Sequence, residues 1–478
     1  MEKQLKLALP KGRLLHETAA LLRRADWGLS DYHQKAGYYR LKSQRFPALL
    51  AKVFHEKDIP IQVAVGNYDL GICGLDWVEE LLVKYPSSAV VKVRNLEYGK
   101  GALLMAASRL SGTATAEELL TKPGIVRIAS EYPNLAESFA VKFRLRRFSL
   151  FPLWGAAEVY PPECADLALV SVGEEGELFS YGLVPVGKVL DFNACLIANA
   201  SSWVVKDLGE VLTSIASVLI PWLVEKRLKG DSFLANKAGA TATTAHYPAE
   251  EIGENTVWLA LPDGHQQPPA LRLLSKAGIQ IDDNLENRRP ATNLAGVMIK
   301  VIRPQDMPLQ VANGNFDLAI TGRDWLAEHL YQFPSSPVRE LLGLKFGKVR
   351  IVAVISKDLS VDDVHSLKQL NAERLVPFRV ASEYVNIADK YARDNHLGSY
   401  RVIPTWGASE AFVPEDADLL IENTQTGRTI AQHNLKIVDT LFQSTACLIG
   451  SADCEPDSIK GKRIQSIIKT LQTAVEGV

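Results

Sequence analysis

The residues whose types and spacing most clearly suggest chemistry lie between Asp418 and Leu435. An apolar run there ends in an acid, Glu422, and a polar segment then leads into a pattern typical of a helix start. A strand that enters a helix through a short loop gathers free backbone N–H groups and the positive end of the helix dipole, which suits a phosphate group. The segment therefore predicts a sugar-phosphate site, while a plain turn with an N-cap is the commoner meaning of such a pattern.

Each residue type in this segment has a role in the prediction. Gly427 would let the main chain approach a phosphate closely, and the hydroxyls of Thr426 and Thr429 would donate hydrogen bonds to it. The carboxylate of Glu422 is suited to accept hydrogen bonds from a pair of sugar hydroxyls. The residues predicted to bind the sugar-phosphate donor are Glu422, Asn423, Thr424, Gln425, Thr426, Gly427, Arg428 and Thr429.

The surrounding chain must supply the strands and helices that position this loop. Short apolar runs at 6–9 and 101–107 predict strands, and residues 14–22 have helical spacing. We also predict a strand over 61–65 and a short helix over 116–120. Such alternation of strands and helices is typical of α/β layers with parallel sheets.

The chain repeats itself. Residues 58–77 read DIPIQVAVGNYDLGICGLDW, and residues 306–325 read DMPLQVANGNFDLAITGRDW. The sequence therefore predicts two copies of one unit, 1–230 and 255–478, joined by a linker of small and polar residues at 231–254.

Composition excludes several classes of function. With 478 residues and a formal net charge of -2, the chain lacks the basic excess of a nucleic-acid or membrane-surface binder. The five cysteines have no metal-ligand spacing, and the nine histidines are not paired. We therefore expect a cytoplasmic protein with reduced cysteines and no metal bound directly by its side chains.

Several ordered motifs together resemble the catalytic core of ATP phosphoribosyltransferase in its short form. They are LPKGRL (9–14), SEYPN (130–134), RPQDMP (303–308) and ADLLIENTQTGRT (417–429), together with the repeated GN-x-DL-x-I-x-G-x-DW segment. The resemblance covers nearly the whole chain, with one family core in each copy. It implies two tandem bilobal units similar to type II periplasmic binding proteins, an α/β fold with parallel or mixed sheets. The implied lobes are 1–97 with 188–230 and 98–187 in the first copy, and 255–345 with 440–478 and 346–439 in the second.

The resemblance also implies an activity and partners. The family opens histidine biosynthesis by joining phosphoribosyl pyrophosphate to N1 of ATP, with release of pyrophosphate that carries Mg²⁺. The short form works with a separate regulatory subunit similar to histidyl-tRNA synthetase, and nothing in this sequence replaces that subunit. The two copies would pack as an intramolecular version of the family dimer, and a larger homo-oligomer stays open.

The two copies depart from the family pattern in complementary places. The first copy has Val170 where the second has Glu422, and His55 where the second has Arg303. Its loop also carries three acids, Glu174, Glu175 and Glu177. Each would repel a phosphate by roughly 1 kcal/mol in water. The second copy keeps the loop but has Asp263 and His265 in place of two cations of the first copy.

Two hypotheses follow from these complementary losses. In one, a single composite site survives, in which the second copy supplies the loop and Arg303 while the first lends Lys11 and Arg13. In the other, the chain is a weak or inactive nucleotide-binding or regulatory relative; a solute-binding protein is disfavoured because no signal peptide is evident. The predicted catalytic residues are Arg303, Lys11 and Arg13. The predicted ATP-binding residues are Lys11, Arg13, Arg40, Arg288 and Glu383.

Two of these assignments have equal structural alternatives. Arg40 and Arg288 occupy matching positions and could be ordinary surface arginines. Glu383 could form a capping box at the start of the following helix instead of contacting a substrate.

Overall fold

The computed structural model describes residues 4–29, 31–33, 39–111, 124–174, 176–228, 253, 255–282, 288–452 and 455–477. The predicted helix at 116–120 and, apart from residue 253, the predicted linker lie outside these residues.

The first copy folds as alternating strands and helices. Its elements are β1 (Leu5–Lys11), α1 (Leu15–Arg24), β2 (Arg40–Lys42), β3 (Leu49–His55), α2 (Asp58–Ala64), β4 (Leu70–Gly74), α3 (Leu75–Lys84), β5 (Val90–Asn95), β6 (Gly101–Ser108), β7 (Val126–Ser130), α4 (Pro133–Lys142), β8 (Phe148–Pro152), β9 (Leu167–Val172), α5 (Glu177–Ser180), β10 (Leu183–Phe192), β11 (Ala194–Asn199), α6 (Ala200–Val205) and α7 (Gly209–Leu228).

The second copy repeats this plan. Its elements are β12 (Val257–Pro262), α8 (Gln267–Lys276), β13 (Val297–Ile302), α9 (Met307–Ala312), β14 (Leu318–Gly322), α10 (Arg323–Gln332), β15 (Val338–Gly343), β16 (Val349–Ser356), α11 (Val364–Ala372), β17 (Phe378–Ser382), α12 (Val385–Asp394), β18 (Tyr400–Pro404), β19 (Leu419–Thr424), α13 (Arg428–Gln432), β20 (Leu435–Ser444), β21 (Ala446–Ser451) and α14 (Ile459–Glu476).

Each copy has two lobes, and each lobe is built on one mixed sheet. The sheet orders are β2-β3-β1-β4-β11-β5 in lobe 1A, β10-β6-β9-β7-β8 in lobe 1B, β13-β12-β14-β21-β15 in lobe 2A and β18-β17-β19-β16-β20 in lobe 2B. In each copy the chain builds the first lobe, crosses to the second and returns through a long antiparallel strand, β10 or β20. The predicted fold class of two bilobal α/β units is confirmed.

The strand predicted over 61–65 is wrong, because residues 61–64 belong to helix α2 and Val65 is its C-cap. Pro60 lies in the first turn of the helix, where its missing N–H has no intrahelical partner to lose. Ile59 and Val63, four residues apart, share the face that packs on β4. This packing is so close that a Cβ at Gly71 would lie 2.7 Å from Ile59 and 2.9 Å from Val63.

The two copies pack head to tail through two apolar cores. One core joins lobe 1A to lobe 2B, and the other joins lobe 1B to lobe 2A. In the first core, the fully buried rings of Phe54 and Phe412 meet edge to face with centroids 5.2 Å apart. Burying each such side chain contributes about 2 kcal/mol, so the two cores hold the copies together firmly.

Buried lysines add matching polar contacts to each core. The Lys52 ammonium of lobe 1A donates to the Ala411 carbonyl at 2.7 Å and lies 3.1 Å from a carboxylate oxygen of Asp416. On the other side, Lys300 of lobe 2A lies 2.7 Å from a carboxylate oxygen of Glu163. A different alignment of the two copies would separate these partners and leave a buried charge uncompensated, which is costly. The pairs therefore favour the observed alignment.

Two of the cysteines are buried inside strands of the first lobes. Cys195 and Cys447 lie inside β11 and β21, and burial raises the pKa of both thiols. Among the helices that the structure describes, none is long and apolar enough to cross a lipid bilayer.

Candidate functional site

The loop after β19 is the centre of the candidate site. Gly427 has a φ of 76°, which glycine adopts without strain, and the chain enters α13 directly after it. The Gly427 N–H donates to the Thr424 hydroxyl at 2.9 Å, so part of the loop's donor capacity is used internally. Helix α13 has only five residues, and its dipole is correspondingly weak. Hydroxyl, guanidinium and main-chain donors would therefore have to hold a phosphate here, with little help from the dipole.

The loop is oriented with its predicted donors outward. The side chains of Thr426, Arg428 and Thr429 are exposed, whereas Thr424 is buried at the end of β19. An anion that approaches from solvent could therefore contact the exposed side chains of Thr426, Arg428 and Thr429. Gln425 is also exposed, and Asn423 instead donates to the Tyr384 hydroxyl at 3.1 Å.

Three carboxylates lie beneath the loop. Glu422 is buried and accepts from the Asn423 N–H at 2.9 Å. Burial, and then the neighbouring charges of Glu383 and Glu410, hold the pKa of Glu422 well above its usual range. Burial and the Glu410 charge likewise raise the pKa of Glu383 to about 7, against the opposing charge of Lys11. The group offers closely spaced oxygens of the kind that bind sugar hydroxyls.

Residues of lobe 1A face this loop from the other copy. The Lys11 ammonium donates to the Tyr39 hydroxyl at 3.2 Å, and the Tyr39 ring stacks on the imidazole of His433 with centroids 4.6 Å apart. Arg40 forms an ion pair with Glu415 of lobe 2B. We call the loop 424–429 together with the facing Lys11, Tyr39 and Arg40 the threonine corner.

The matching loop of lobe 1B is built differently. The Glu177 carboxylate folds back and accepts from the Gly173 N–H at 3.2 Å. A negative group of the protein thus already occupies a loop donor, and the exposed Glu174 adds a second charge beside it. Glu175 lies outside the described residues. We call the loop 172–177 together with the facing Asp263, Arg288 and Arg303 of lobe 2A the glutamate corner.

The cations of the glutamate corner are neutralised by acids of the protein. Asp263 occupies the position that matches Lys11 and lies 3.1 Å from both Arg288 and Arg303. Arg288 also lies 3.4 Å from Glu158 of lobe 1B. The arginines here face acids, as Arg40 faces Glu415 in the threonine corner, but the threonine corner also has the Lys11 ammonium.

Arg303 lies in the glutamate corner and not beside the loop that the sequence assigned to it. Its side chain rests against lobe 1B so closely that a Cβ at Gly155 would be 2.7 Å from its Nε atom. Its charge acts on His55, the residue at the matching position of the first copy, whose pKa burial lowers to about 4. The structure thus brings together the loop, Lys11, Arg40 and Glu383, and it places Arg288 and Arg303 elsewhere.

Arg13 also lies away from the threonine corner. Its guanidinium pairs with the buried Asp76 at 2.6 Å and with Glu56 at 2.9 Å. The same Asp76 accepts from the Tyr132 hydroxyl of lobe 1B at 2.8 Å. Arg13 therefore neutralises Asp76, the carboxylate through which Tyr132 joins the two lobes of the first copy. In the second copy, the hydroxyl of Ser444 takes this place and donates to Asp324 at 2.6 Å.

The capping-box alternative for Glu383 is wrong. The N-terminus of α12 has no side-chain cap from Glu383. Instead Glu328 of lobe 2A accepts from the N–H groups of Asn386 and Ile387 at 2.8 and 2.9 Å. The helix is thus capped from the other lobe, and Glu383 is left beside Glu410 in the carboxylate group.

Sequence reasoning missed Tyr39, His433 and the role of Glu410. Glu410 matches Glu158 in the repeat, so comparison of the copies could have drawn attention to it. No motif marks Tyr39 and His433, which are far apart in sequence and in different copies. Only the packing of lobe 1A on lobe 2B brings their rings together.

Comparison with known proteins gives consistent matches. The sequence model of the HisG family, described as ATP phosphoribosyltransferase, matches residues 55–219 and 303–473. An ATP phosphoribosyltransferase of Prosthecochloris aestuarii is 31% identical over 222 residues, which cover 45% of this chain and 71% of that protein. One of Pelotomaculum thermopropionicum is 27% identical over 222 residues, 45% of this chain and 72% of that protein.

A solved structure was also matched. It is the ATP phosphoribosyl transferase (HisG:HisZ) complex from Thermotoga maritima, which aligns with 20% sequence identity and a TM-score of 0.39. The alignment covers 47% of this chain and 100% of that chain.

Proposed function

The chain belongs to the ATP phosphoribosyltransferase family, and from this premise we propose that it transfers a phosphoribosyl group from phosphoribosyl pyrophosphate to N1 of ATP. The reaction would take place in the threonine corner. This is the first step of histidine biosynthesis in the family that the sequence resembles.

One observation carries the proposal. The Lys11 ammonium of the first copy donates to the Tyr39 hydroxyl, and the Tyr39 ring stacks on His433, which ends the short helix after the loop 424–429. The second copy has Asp263 at the position of Lys11, so the loop and this ammonium come from different copies, which supports a composite site. A polyanionic substrate pair needs such convergence of positive groups.

The chemistry demands positioning more than activation. N1 of adenine is already a nucleophile, so the N1–C1 bond can form as the bond from C1 to pyrophosphate breaks, with no activated serine or cysteine. The loop would hold the 5-phosphate, and Glu422 with its neighbouring carboxylates would accept from the ribose hydroxyls. Lys11 and Arg40 would face the phosphates of ATP or the departing pyrophosphate, where charge develops.

Metal, partner and location complete the proposal. Mg²⁺ would arrive bound to the pyrophosphate group, since Mg²⁺ commonly binds proteins through substrate phosphates. In the described part of the chain, no three His, Cys, Asp or Glu side chains are grouped so as to hold a metal ion. A separate regulatory subunit and a cytoplasmic location, both expected from the sequence, belong to the proposal as well.

The second candidate is a nucleotide-binding or regulatory relative without turnover. The glutamate corner favours it, because there Glu177 accepts from a loop N–H and Asp263 pairs with Arg303, which would disfavour an anionic substrate. It differs from the first candidate in predicting that ATP binds but that no phosphoribosyl-ATP forms.

The test combines a product assay with separate binding measurements. The purified chain is incubated with ATP, phosphoribosyl pyrophosphate and Mg²⁺, and phosphoribosyl-ATP is followed by mass spectrometry. Calorimetry with each substrate alone gives the number of sites per chain. We expect product and one phosphoribosyl pyrophosphate site per chain. Binding of ATP without any product would establish the regulatory candidate instead.

A further inference from the structure

One contact in the threonine corner has no part in the proposed chemistry. The rings of Tyr39 and His433 lie 4.6 Å apart and only 11° from parallel, one ring from each copy. Both side chains are half-buried. A flat stack of this kind fixes the separation and the tilt of the two elements that carry it.

The first copy holds Tyr39 firmly. Its carbonyl accepts from the Val53 N–H at 2.9 Å, which ties it to β3. The Lys11 ammonium donates to the hydroxyl at 3.2 Å and lies 5.1 Å from the ring centroid. The ring is therefore fixed to lobe 1A from two sides before it meets lobe 2B.

His433 sits at the end of the short helix that follows the phosphate loop. Its N–H donates to the Thr429 carbonyl at 3.2 Å, so it is one turn from the last loop residue. The inner face of the helix is held by Ile430, buried in the core between lobes 1A and 2B. The imidazole on Tyr39 is the second anchor of this helix.

The charge state of the imidazole suits the stack. Burial lowers the pKa of His433, and the nearby positive charges of Lys11 and Arg40 lower it further, against the charge of Glu410. A neutral ring can stay packed beside these two cations, whereas an imidazolium would be repelled by them.

We propose that Tyr39 is a positioning residue for the phosphate loop of the other copy: by stacking on His433, it fixes helix α13 and therefore the loop 424–429. The first copy would thus contribute rigidity to the site as well as charge. That the positioned ligand is phosphoribosyl pyrophosphate rests on the proposed function, but the effect on the loop does not.

Three variants of the full-length chain separate the flat ring from the hydroxyl. Tyr39→Phe keeps the stack and loses the hydroxyl, Tyr39→Leu removes the flat ring, and His433→Phe keeps a ring without a titrating nitrogen. We expect Tyr39→Leu to raise the Kd and KM for phosphoribosyl pyrophosphate about three- to tenfold, with kcat changed less. Tyr39→Phe, which keeps the ring but loses the hydroxyl that Lys11 contacts, should be affected less than Tyr39→Leu, and His433→Phe should stay within about twofold of the parent chain.

Hydrogen exchange of the ligand-free chain gives an independent readout. Tyr39→Leu should speed exchange of the amides in 424–433 and leave those in 172–181 unchanged. The matched control is Tyr181→Leu, at the position of the first copy that corresponds to His433, which should leave 424–433 unchanged. Equal exchange and equal affinity in Tyr39→Leu and Tyr39→Phe would overturn the proposal. Faster exchange in a chain that makes no product would support it while the proposed function failed.

Discussion

The threonine corner and the glutamate corner are made by equivalent elements, and they differ in which charges meet there. In both, a short loop after a central strand of one copy faces the first lobe of the other copy. In one, exposed threonines face Lys11; in the other, Glu177 occupies a loop donor and Asp263 neutralises the arginines. The two copies thus keep the same packing, while the loop of the first copy is occupied by a carboxylate of the protein itself.

The interior of each copy changed far less than its corners. Tyr132 and Tyr384 each donate to a buried aspartate of the other lobe, and Glu80 and Glu328 each cap a helix across the lobes. These contacts hold the lobes of both copies together. The first copy therefore keeps the same internal structure as the second, and its lobe 1A forms one side of the threonine corner.

The largest effect on substrate binding should come from giving the threonine corner the acid of the glutamate corner. Thr429→Glu places a carboxylate where Glu177 stands in the first copy. We expect it to cap the loop and repel the phosphate, and to weaken phosphoribosyl pyrophosphate binding by more than about 100-fold, because a charge-assisted hydrogen bond is replaced by repulsion. The Kd is measured by calorimetry with the Mg²⁺ complex of phosphoribosyl pyrophosphate.

The reciprocal change is the matched control. Glu177→Thr in the first copy should leave the stoichiometry at one site per chain, because Val170 still supplies no carboxylate and Asp263 still neutralises the facing arginines. A second binding site in Glu177→Thr would show that the loop alone decides where the substrate binds.

The next effect separates stability from catalysis. Arg13→Ala should lower the free energy of unfolding by about 3 kcal/mol, because it leaves Asp76 and Glu56 buried without their partner. Urea unfolding measures this change. Once folded, the variant should bind phosphoribosyl pyrophosphate normally, since Arg13 is already paired with two carboxylates of its own lobe. A stable variant with no turnover would instead return Arg13 to the catalytic set that the sequence predicts.

Lys11 should show the opposite pattern. Its ammonium is exposed, so Lys11→Ala should change the free energy of unfolding by less than about 1 kcal/mol. Loss of the cation facing the loop should lower kcat/KM about tenfold, the cost of one charged contact. Steady-state kinetics measure it, with Lys100→Ala, a surface lysine of the same copy, as control. If kcat/KM is unchanged in Lys11→Ala, the Lys11 ammonium of the first copy takes no part in the reaction.

The smallest effect concerns pH. The pKa of Glu383 is raised from 4.5 to about 7, so between these values the folded chain binds more protons than the unfolded chain. Stability linked to this group should therefore fall as pH rises from 4.5 to 7, by about 1 kcal/mol after allowance for its partial exposure. Glu383→Gln should flatten this slope in urea unfolding at pH 5 and 8. Glu131→Gln, which only breaks an ion pair with Lys57, should not.

The sequence alone determined the repeat, the α/β class and the strand-to-helix loop at 424–429, whose binding of phosphate stays a prediction. These depend on local pattern: apolar runs bounded by glycines, and a strand that passes through Thr426 and Gly427 into a helix. It failed at 61–65, because a short run with alternating polarity is compatible with both a strand and a helix. The close approach of α2 to Gly71, which decided the matter, is a contact between distant residues.

Only the tertiary structure decided which cations meet which loop. The sequence grouped Lys11, Arg13 and Arg303 by their motifs. In the structure each has a different partner: Tyr39 for Lys11, Asp76 for Arg13 and Asp263 for Arg303. The stack of Tyr39 on His433 was likewise invisible, since 394 positions (433 minus 39) separate the two residues. Motifs record what a residue can do, whereas the packing of four lobes sets the distances over which charge acts.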